Sequence, residues 1–159
     1  MQKIARFFKV SEEEFLKTGN KKTYDGIILP RRATKGSAGY DFFAPEGFSL
    51  APKQTIKIAT GIRVKMKDGW VLQIFPRSGL GFKYRLTLDN TVGIIDADYF
   101  NAENEGHIFI KMTNCGDAPL AVEKGKAFAQ GVFIPFGITE DDECETARRG
   151  GLGSTDASF

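Results

Sequence analysis

Apolar and polar residues alternate with a period near two along Gln54-Thr55-Ile56-Lys57-Ile58-Ala59-Thr60, the pattern of a strand with one face buried. Residues 69–75 and 107–112 are short β-rich runs bounded by glycine, proline, asparagine or aspartate, which reads as strands between turns. A helical signature stands out once. Ser11 can cap a helix beginning at Glu12, and Glu14 can close the capping box three residues on. Thr18, Gly19 and Asn20 end that helix, and the Lys21-Lys22 pair that follows reads as a solvated surface turn. Many short strands without alternating long helices predict an all-β fold, a jelly-roll-like sandwich or barrel with one short helix. No repeat or linker divides the chain, so residues 1–159 are expected to form a single domain. Residues 148–159 are glycine-rich, small and polar, too poor in apolar groups to pack alone, and are expected to be a mobile C-terminal arm.

Composition narrows the function classes. Hydrophobic residues are 42% and charged residues 26%, which fits a globular chain and excludes disordered or fibrous ones. A net charge of +2 is too small for a general nucleic-acid binder, although a few basic groups gathered at one point could hold a small anion. Cys115 and Cys144 lack CxxC spacing and only His107 could join them, so a structural zinc site would want ligands and free thiols in a reducing compartment are expected. The N-terminus is charged from the start, unlike a signal peptide, and no apolar run is long enough to span a membrane. The expected location is the cytoplasm, or the host cytoplasm if the chain is virus-encoded, with no membrane contact.

Four segments concentrate glycine beside charged or hydroxyl residues. Ala38-Gly39-Tyr40-Asp41 taken alone is an ordinary turn entering a strand. Pro76-Arg77-Ser78-Gly79-Leu80-Gly81 follows a strand and offers a guanidinium fork, a hydroxyl and accessible backbone N–H groups, a combination suited to phosphate, though a plain loop is an equal reading. In the run from Asn90 to Tyr99, Asp96 and Asp98 sit at i and i+2, so on a strand both carboxylates would point to one face. Asn90 has the donor and acceptor to pair with a pyrimidine's amide edge, and Tyr99 could lay its ring against a sugar or base. Arg148-Arg149-Gly150-Gly151-Leu152-Gly153-Ser154-Thr155 has the composition of a lid for a phosphorylated ligand, while a frayed basic tail is the usual reading of such a terminus.

These segments together resemble the five ordered motifs of the homotrimeric dUTPase family. The motifs are Ala38-Gly39-Tyr40-Asp41, Pro76-Arg77-Ser78-Gly79-Leu80, Gly93-Ile94-Ile95-Asp96-Ala97-Asp98-Tyr99, Gly125-Lys126-Ala127-Phe128-Ala129-Gln130, and the run from Arg148 to Thr155. The resemblance covers about Tyr24 to the end and leaves residues 1–23 as an N-terminal extension.

It implies a jelly-roll protomer, a homotrimer with shared active sites, dUTP as substrate, and Mg²⁺ as cofactor. The implied products are dUMP and pyrophosphate, so that such an enzyme limits uracil incorporation into DNA and supplies dUMP for dTMP synthesis. Asp96 matches the carboxylate that activates the attacking water. Asn90 with the Gly93, Ile94 and Ile95 backbone matches the β-hairpin that reads uracil, and Tyr99 matches the ring that packs on deoxyribose and excludes a 2′-hydroxyl. Arg77, Ser78, Gly79 and Gln130 match phosphate contacts. Asp41 matches a carboxylate near the metal's water shell. Arg148 matches the arginine that reaches the terminal phosphate, with Leu152, Gly153 and Ser154 on the same closing arm.

Three positions depart from the family pattern. After Tyr99 the family has a tight Arg-Gly pair where this chain runs through residues 100–106, Leu152 stands where an aromatic residue is usual, and Asp156 replaces a glycine. dCTP deaminase, which shares the fold, is the rival enzyme, and ammonia release from dCTP would reveal it. A nucleotide-sensing module is the rival of another class. An unidentified regulatory protein partner could use the N-terminal extension or the 100–106 loop.

Overall fold

The computed structural model describes residues 1–145 and 150–151. The strands in chain order are β1 (Ala5–Lys9), β2 (Arg31–Arg32), β3 (Tyr40–Phe43), β4 (Phe48–Leu50), β5 (Thr55–Ala59), β6 (Ile62–Met66), β7 (Trp70–Pro76), β8 (Leu86–Leu88), β9 (Gly93–Ile95), β10 (Phe109–Asn114), β11 (Leu120–Val122) and β12 (Ala127–Pro135). Short helices α1 (Glu12–Leu16), α2 (Lys21–Asp25) and α3 (Ser78–Tyr84) and a 3₁₀ turn at Ala97–Asn101 lie between them. No described helix is long and apolar enough to cross a membrane.

Alternation decides which side chains go inward. Ile62, Val64 and Met66 of β6 and Ile110 and Met112 of β10 are buried, whereas Lys65 and Lys111 between them are exposed. The central strand β7 buries Val71, Leu72 and Ile74.

Five strands form one antiparallel sheet in the order β2-β3-β12-β7-β9, and β5-β10-β8 form a second, with the pairs β1-β6 and β11-β4 beside them. Phe42, Leu72, Ile74 and Phe128 from the first sheet and Leu86, Ile110 and Met112 from the second belong to one buried cluster, as expected of a sandwich. The architecture is jelly-roll-like, and among the described residues no sheet closes into a barrel. Buried Asn114 ties the end of β10 to its neighbours: its amide donates to the Leu50 and Ala118 carbonyls at 3.0 and 2.9 Å, and its oxygen accepts from Gly116 N–H at 3.0 Å.

The first 23 residues are part of this core. β1 pairs with β6 from Ala5↔Met66 to Lys9↔Ile62, and Phe7, Val10 and Phe15 join the buried cluster. The helix start is half of the expected box. Ser11 Oγ accepts from Glu14 N–H at 3.1 Å, but the Ser11 N–H goes to Glu105 at 2.8 Å, and the Glu14 carboxylate pairs with Lys17 at 2.5 Å.

The Lys21-Lys22 turn is a helix instead. Asn20, expected to end one helix, starts the next: its oxygen accepts from the Thr23 N–H at 3.0 Å. The Thr23 hydroxyl donates to Glu46, which holds that carboxyl below its ordinary value. Asn20→Ala should therefore cost about 1 kcal/mol, read as a lower urea midpoint at unchanged slope.

Candidate active site

The first group of polar side chains lies across the middle of the large sheet. Arg31, Asp41, Gln130 and Phe75 are successive cross-strand partners on β2, β3, β12 and β7, so their side chains share one face. Gln130 Nε2 donates to the Pro76 carbonyl at 3.1 Å. On its other side lies Gly39, where a Cβ would come within 2.7 Å of Gln130 Oε1 and push the carboxamide aside. Pro76 ends β7, and Arg77 makes one last bond, from its N–H to the Phe128 carbonyl at 3.2 Å, before the chain turns into α3.

The phosphate-like segment is thus a helix start and not a loop. Arg77 is the N-cap, with its carbonyl accepting from Leu80 and Gly81. Its side chain makes no capping bond. It reaches back to buried Asp41, Nη1 to Oδ1 at 2.5 Å. The N–H groups of Ser78 and Gly79 fall in the first turn, where helix geometry supplies no acceptor, and both residues are exposed. A guanidinium, a carboxamide and outward N–H groups meet here, a set suited to oxyanions.

The second group surrounds a pocket of about 70 Å³ lined by Ile94, Ile95, Asp96, Tyr99, Ile108, Phe109 and Gly151. Asp96 and Asp98 do not share a strand face. The strand stops at Ile95, Asp96 is the N-cap of the 3₁₀ turn without a side-chain capping bond, and exposed Asp98 lies in its first turn. That turn swings Tyr99 beneath the pocket. Tyr99 is 8% exposed, its hydroxyl donates to the His107 carbonyl at 2.8 Å, and it accepts from Asn104 Nδ2 at 2.8 Å.

The expected uracil-reading hairpin is an arch between sheets: β8 pairs with β10, whereas β9 pairs with β7. Exposed Asn90 sits at its tip, its carbonyl accepting from Val92 N–H at 2.7 Å. Thr91 between them has φ 63°, a sterically costly value for a β-branched residue. β9 is the outer strand of the large sheet, with β7 on one side only.

Register separates the two groups within a protomer. Ile95 lies opposite Leu72, and Arg77 follows five residues later along the same strand. At strand rise, Ile95 and Arg77 stand roughly 16 Å apart, and Asp96 continues from Ile95 in the direction away from Arg77. Arg148, Leu152, Gly153 and Ser154 lie outside the described residues. Among the described residues no three of His, Cys, Asp and Glu are grouped as a metal cage would require.

His107 and the groups around it were not legible as part of a site. His107 is fully buried, accepts from Gly61 N–H through Nε2 at 2.9 Å and packs on the Phe109 ring at 4.3 Å. Burial pushes its pKa down to about 4, against the opposing pull of Glu14 and Glu105. The available signal was a lone histidine entering an apolar strand directly after a glycine.

The dUTPase family model matches residues 25–156. The deoxyuridine 5′-triphosphate nucleotidohydrolase of Lactococcus lactis subsp. lactis (strain IL1403) is 45% identical over 135 residues, 83% of this chain and 90% of that protein. The crystal structure of dUTPase from Streptococcus mutans is similar with a TM-score of 0.68 at 35% identity, covering 84% of this chain and 98% of that one. A Staphylococcus bacteriophage 80alpha dUTPase, solved with dUPNHPP, shares the fold with a TM-score of 0.67 at 24% identity, over 96% and 98% of the two chains.

Proposed function

The chain belongs to the dUTPase family, and on that premise we propose that it cleaves dUTP with an Asp96-held water at sites completed between the subunits of a homotrimer. It is a dUTP diphosphatase. The observation that carries the finer reading is the separation just described. The carboxylate and the ring assigned to water and sugar follow the end of β9, and the oxyanion-binding group lies roughly 16 Å from that strand end along β7. A threefold assembly brings the second group of one subunit to the first group of its neighbour through a heterologous interface.

In this arrangement the outer edge of β9 and the Asn90 amide read uracil. Cytosine is disfavoured because its exocyclic group exchanges acceptor for donor. The Tyr99 ring forms a wall against deoxyribose that leaves no room for a 2′-hydroxyl. The Arg77 guanidinium, the Ser78 and Gly79 N–H groups and Gln130 hold phosphate oxygens.

Asp96 orients a water and takes up its proton as the new O–P bond forms at the α-phosphorus. The bond to the bridging oxygen breaks, and pyrophosphate leaves with the electron pair. The residues present fit Mg²⁺ carried mainly by substrate and water, with Asp41 contacting it through water while Arg77 holds one carboxylate oxygen. When bound, that ion neutralises charge on the triphosphate. Arg148 is assigned to the terminal phosphate, Leu152 to the uracil face, and Gly153 and Ser154 to phosphate oxygens.

Pyrophosphate release from dUTP in preference to UTP, dCTP and dTTP, with and without Mg²⁺, tests the chemistry. Ammonia from dCTP would point to the deaminase reading instead. Mixing tests the sharing. Arg77→Ala and Asp96→Asn subunits, co-refolded in equal amounts, should recover about a quarter of wild-type turnover, because that fraction of interfaces unites an intact Arg77 with an intact Asp96. No recovery in a verified mixed trimer would mean that each site lies within one protomer.

A further inference from the structure

The N-terminal extension, residues 1–23, and the 100–106 loop meet at a joint beside Tyr99. Both oxygens of Glu105 accept from Ser11, Oε2 from its N–H at 2.8 Å and Oε1 from its hydroxyl at 2.5 Å. Arg63 completes the joint. One of its nitrogens lies 3.4 Å from Glu105, another donates to the Phe100 carbonyl at 2.6 Å, and its guanidinium sits 3.7 Å above the Phe100 ring. Phe8 of β1 packs against the other residue of that pair, its ring centroid 5.8 Å from that of Phe100.

Burial would raise the Glu105 carboxyl's pKa, but the two Ser11 bonds and Arg63 outweigh it and hold it below its ordinary value. The neighbouring Asn104 carries this anchorage to the pocket. Its amide donates to the Tyr99 hydroxyl at 2.8 Å while its oxygen accepts from Gly106 N–H at 3.2 Å. Gly106 has φ 72°, and a Cβ there would meet the Tyr99 carbonyl at 2.5 Å, so the loop closes tightly under the ring.

We propose that Asn104 is a positioning residue for sugar selectivity, and that the N-terminal segment, through Ser11 and Glu105, is the brace that holds it. The proposal rests on the reading of Tyr99 as the wall against deoxyribose. Steric exclusion of one hydroxyl requires a wall that does not yield by about 1 Å, so its rigidity sets the discrimination. The Tyr99 hydroxyl is held from two sides, donating to the carbonyl of buried His107 and accepting from Asn104. Losing those bonds frees the ring to tilt without changing the face it shows to the sugar.

The test is kcat/KM for UTP relative to dUTP. Asn104→Ala and Tyr99→Phe should each raise the relative UTP activity about tenfold, and the double variant should do no more than either one. A gain of UTP turnover is not produced by general loss of structure. Asn20→Ala, which weakens the N-terminal helices without touching the loop, should leave the ratio where it is, while Glu105→Gln should move it in the same direction as Asn104→Ala. An unchanged ratio in both Asn104→Ala and Tyr99→Phe, or additive effects in the double variant, overturns the brace. Tyr99→Ala separates the two levels. If it alone lifts UTP activity, the wall stands without the brace, and if it too leaves the ratio unchanged, the sugar-wall reading falls. Should Asn104→Ala fail to fold, the Tyr99→Phe ratio decides the question.

Discussion

Asp96→Asn should lower kcat for dUTP by about a thousandfold while the protein folds, assembles and binds dUTP as before. Asparagine keeps the size and planarity of the side chain but cannot accept a proton from water, so the loss falls on the chemical step. Asparagine keeps the backbone role of this position, where the Asp96 carbonyl accepts the first bond of the 3₁₀ turn from Tyr99 N–H. Calorimetric binding of a non-hydrolysable dUTP analogue should give a dissociation constant within a few-fold of wild type. Single-turnover hydrolysis should be slowed by the full factor. Near-normal turnover in this variant would remove Asp96 from the reaction.

Acid should unfold the protein through His107 before it protonates most carboxylates. In the folded chain His107 is neutral, because its Nε2 accepts from Gly61 N–H and its burial opposes charge, with a pKa pushed down from 6.5 to about 4. The unfolded chain takes up a proton near 6.5, so between those values it binds more protons than the folded chain does. The associated stability is fully present above 6.5 and drains as pH falls towards about 4, in total on the order of 3 kcal/mol. Glu105, whose carboxyl is held low, adds a loss of the same sign at more acid pH.

Urea unfolding at pH 7 and pH 4.5 measures this directly. His107→Gln retains an acceptor for Gly61 without a titrating ring, and should be less stable at pH 7 but nearly flat across that window. A wild-type midpoint that does not move between the two pH values contradicts the assignment.

Strands and motifs were legible from the sequence where a local rule decides them. The alternation at residues 54–60 gave β5 because every second side chain is inward, and Ser11 marked a helix start because capping needs only residues three apart. The misreadings share a cause. Asn20 looked like an end because one amide can stop one helix and start another, and Lys21-Lys22 looked like a turn because its helix is capped from outside the charged pair. The Ser11–Glu105 bond was invisible because it joins residues 94 apart in the chain.

Within the site, Asp96, Tyr99, Arg77 and Gln130 were named from their motifs, and the structure sets them into two groups that no local pattern could have separated. Only strand register does that. Asp98 shows the limit of period-two reasoning, since the strand ends at Ile95, one residue before the pair begins.

Under the proposed brace, the Ser11–Glu105 joint also sets when selectivity is acquired during synthesis. Strand β1 is made before β6 and has no partner until β6 follows, and the helix it leads into is not latched until Glu105 has been made. Before β6 emerges, β1, with apolar Phe7, is an unpaired strand available for wrong pairing. Tyr99 is translated before its hydroxyl's partners, and its ring is fixed only once residues 104–107 have emerged and the segment around Ser11 has folded back onto Glu105. Nascent chains stalled short of residue 104 should therefore hold β1 against β6 and still leave the Tyr99 ring unfixed, so that recognition of the sugar is among the last properties this chain acquires.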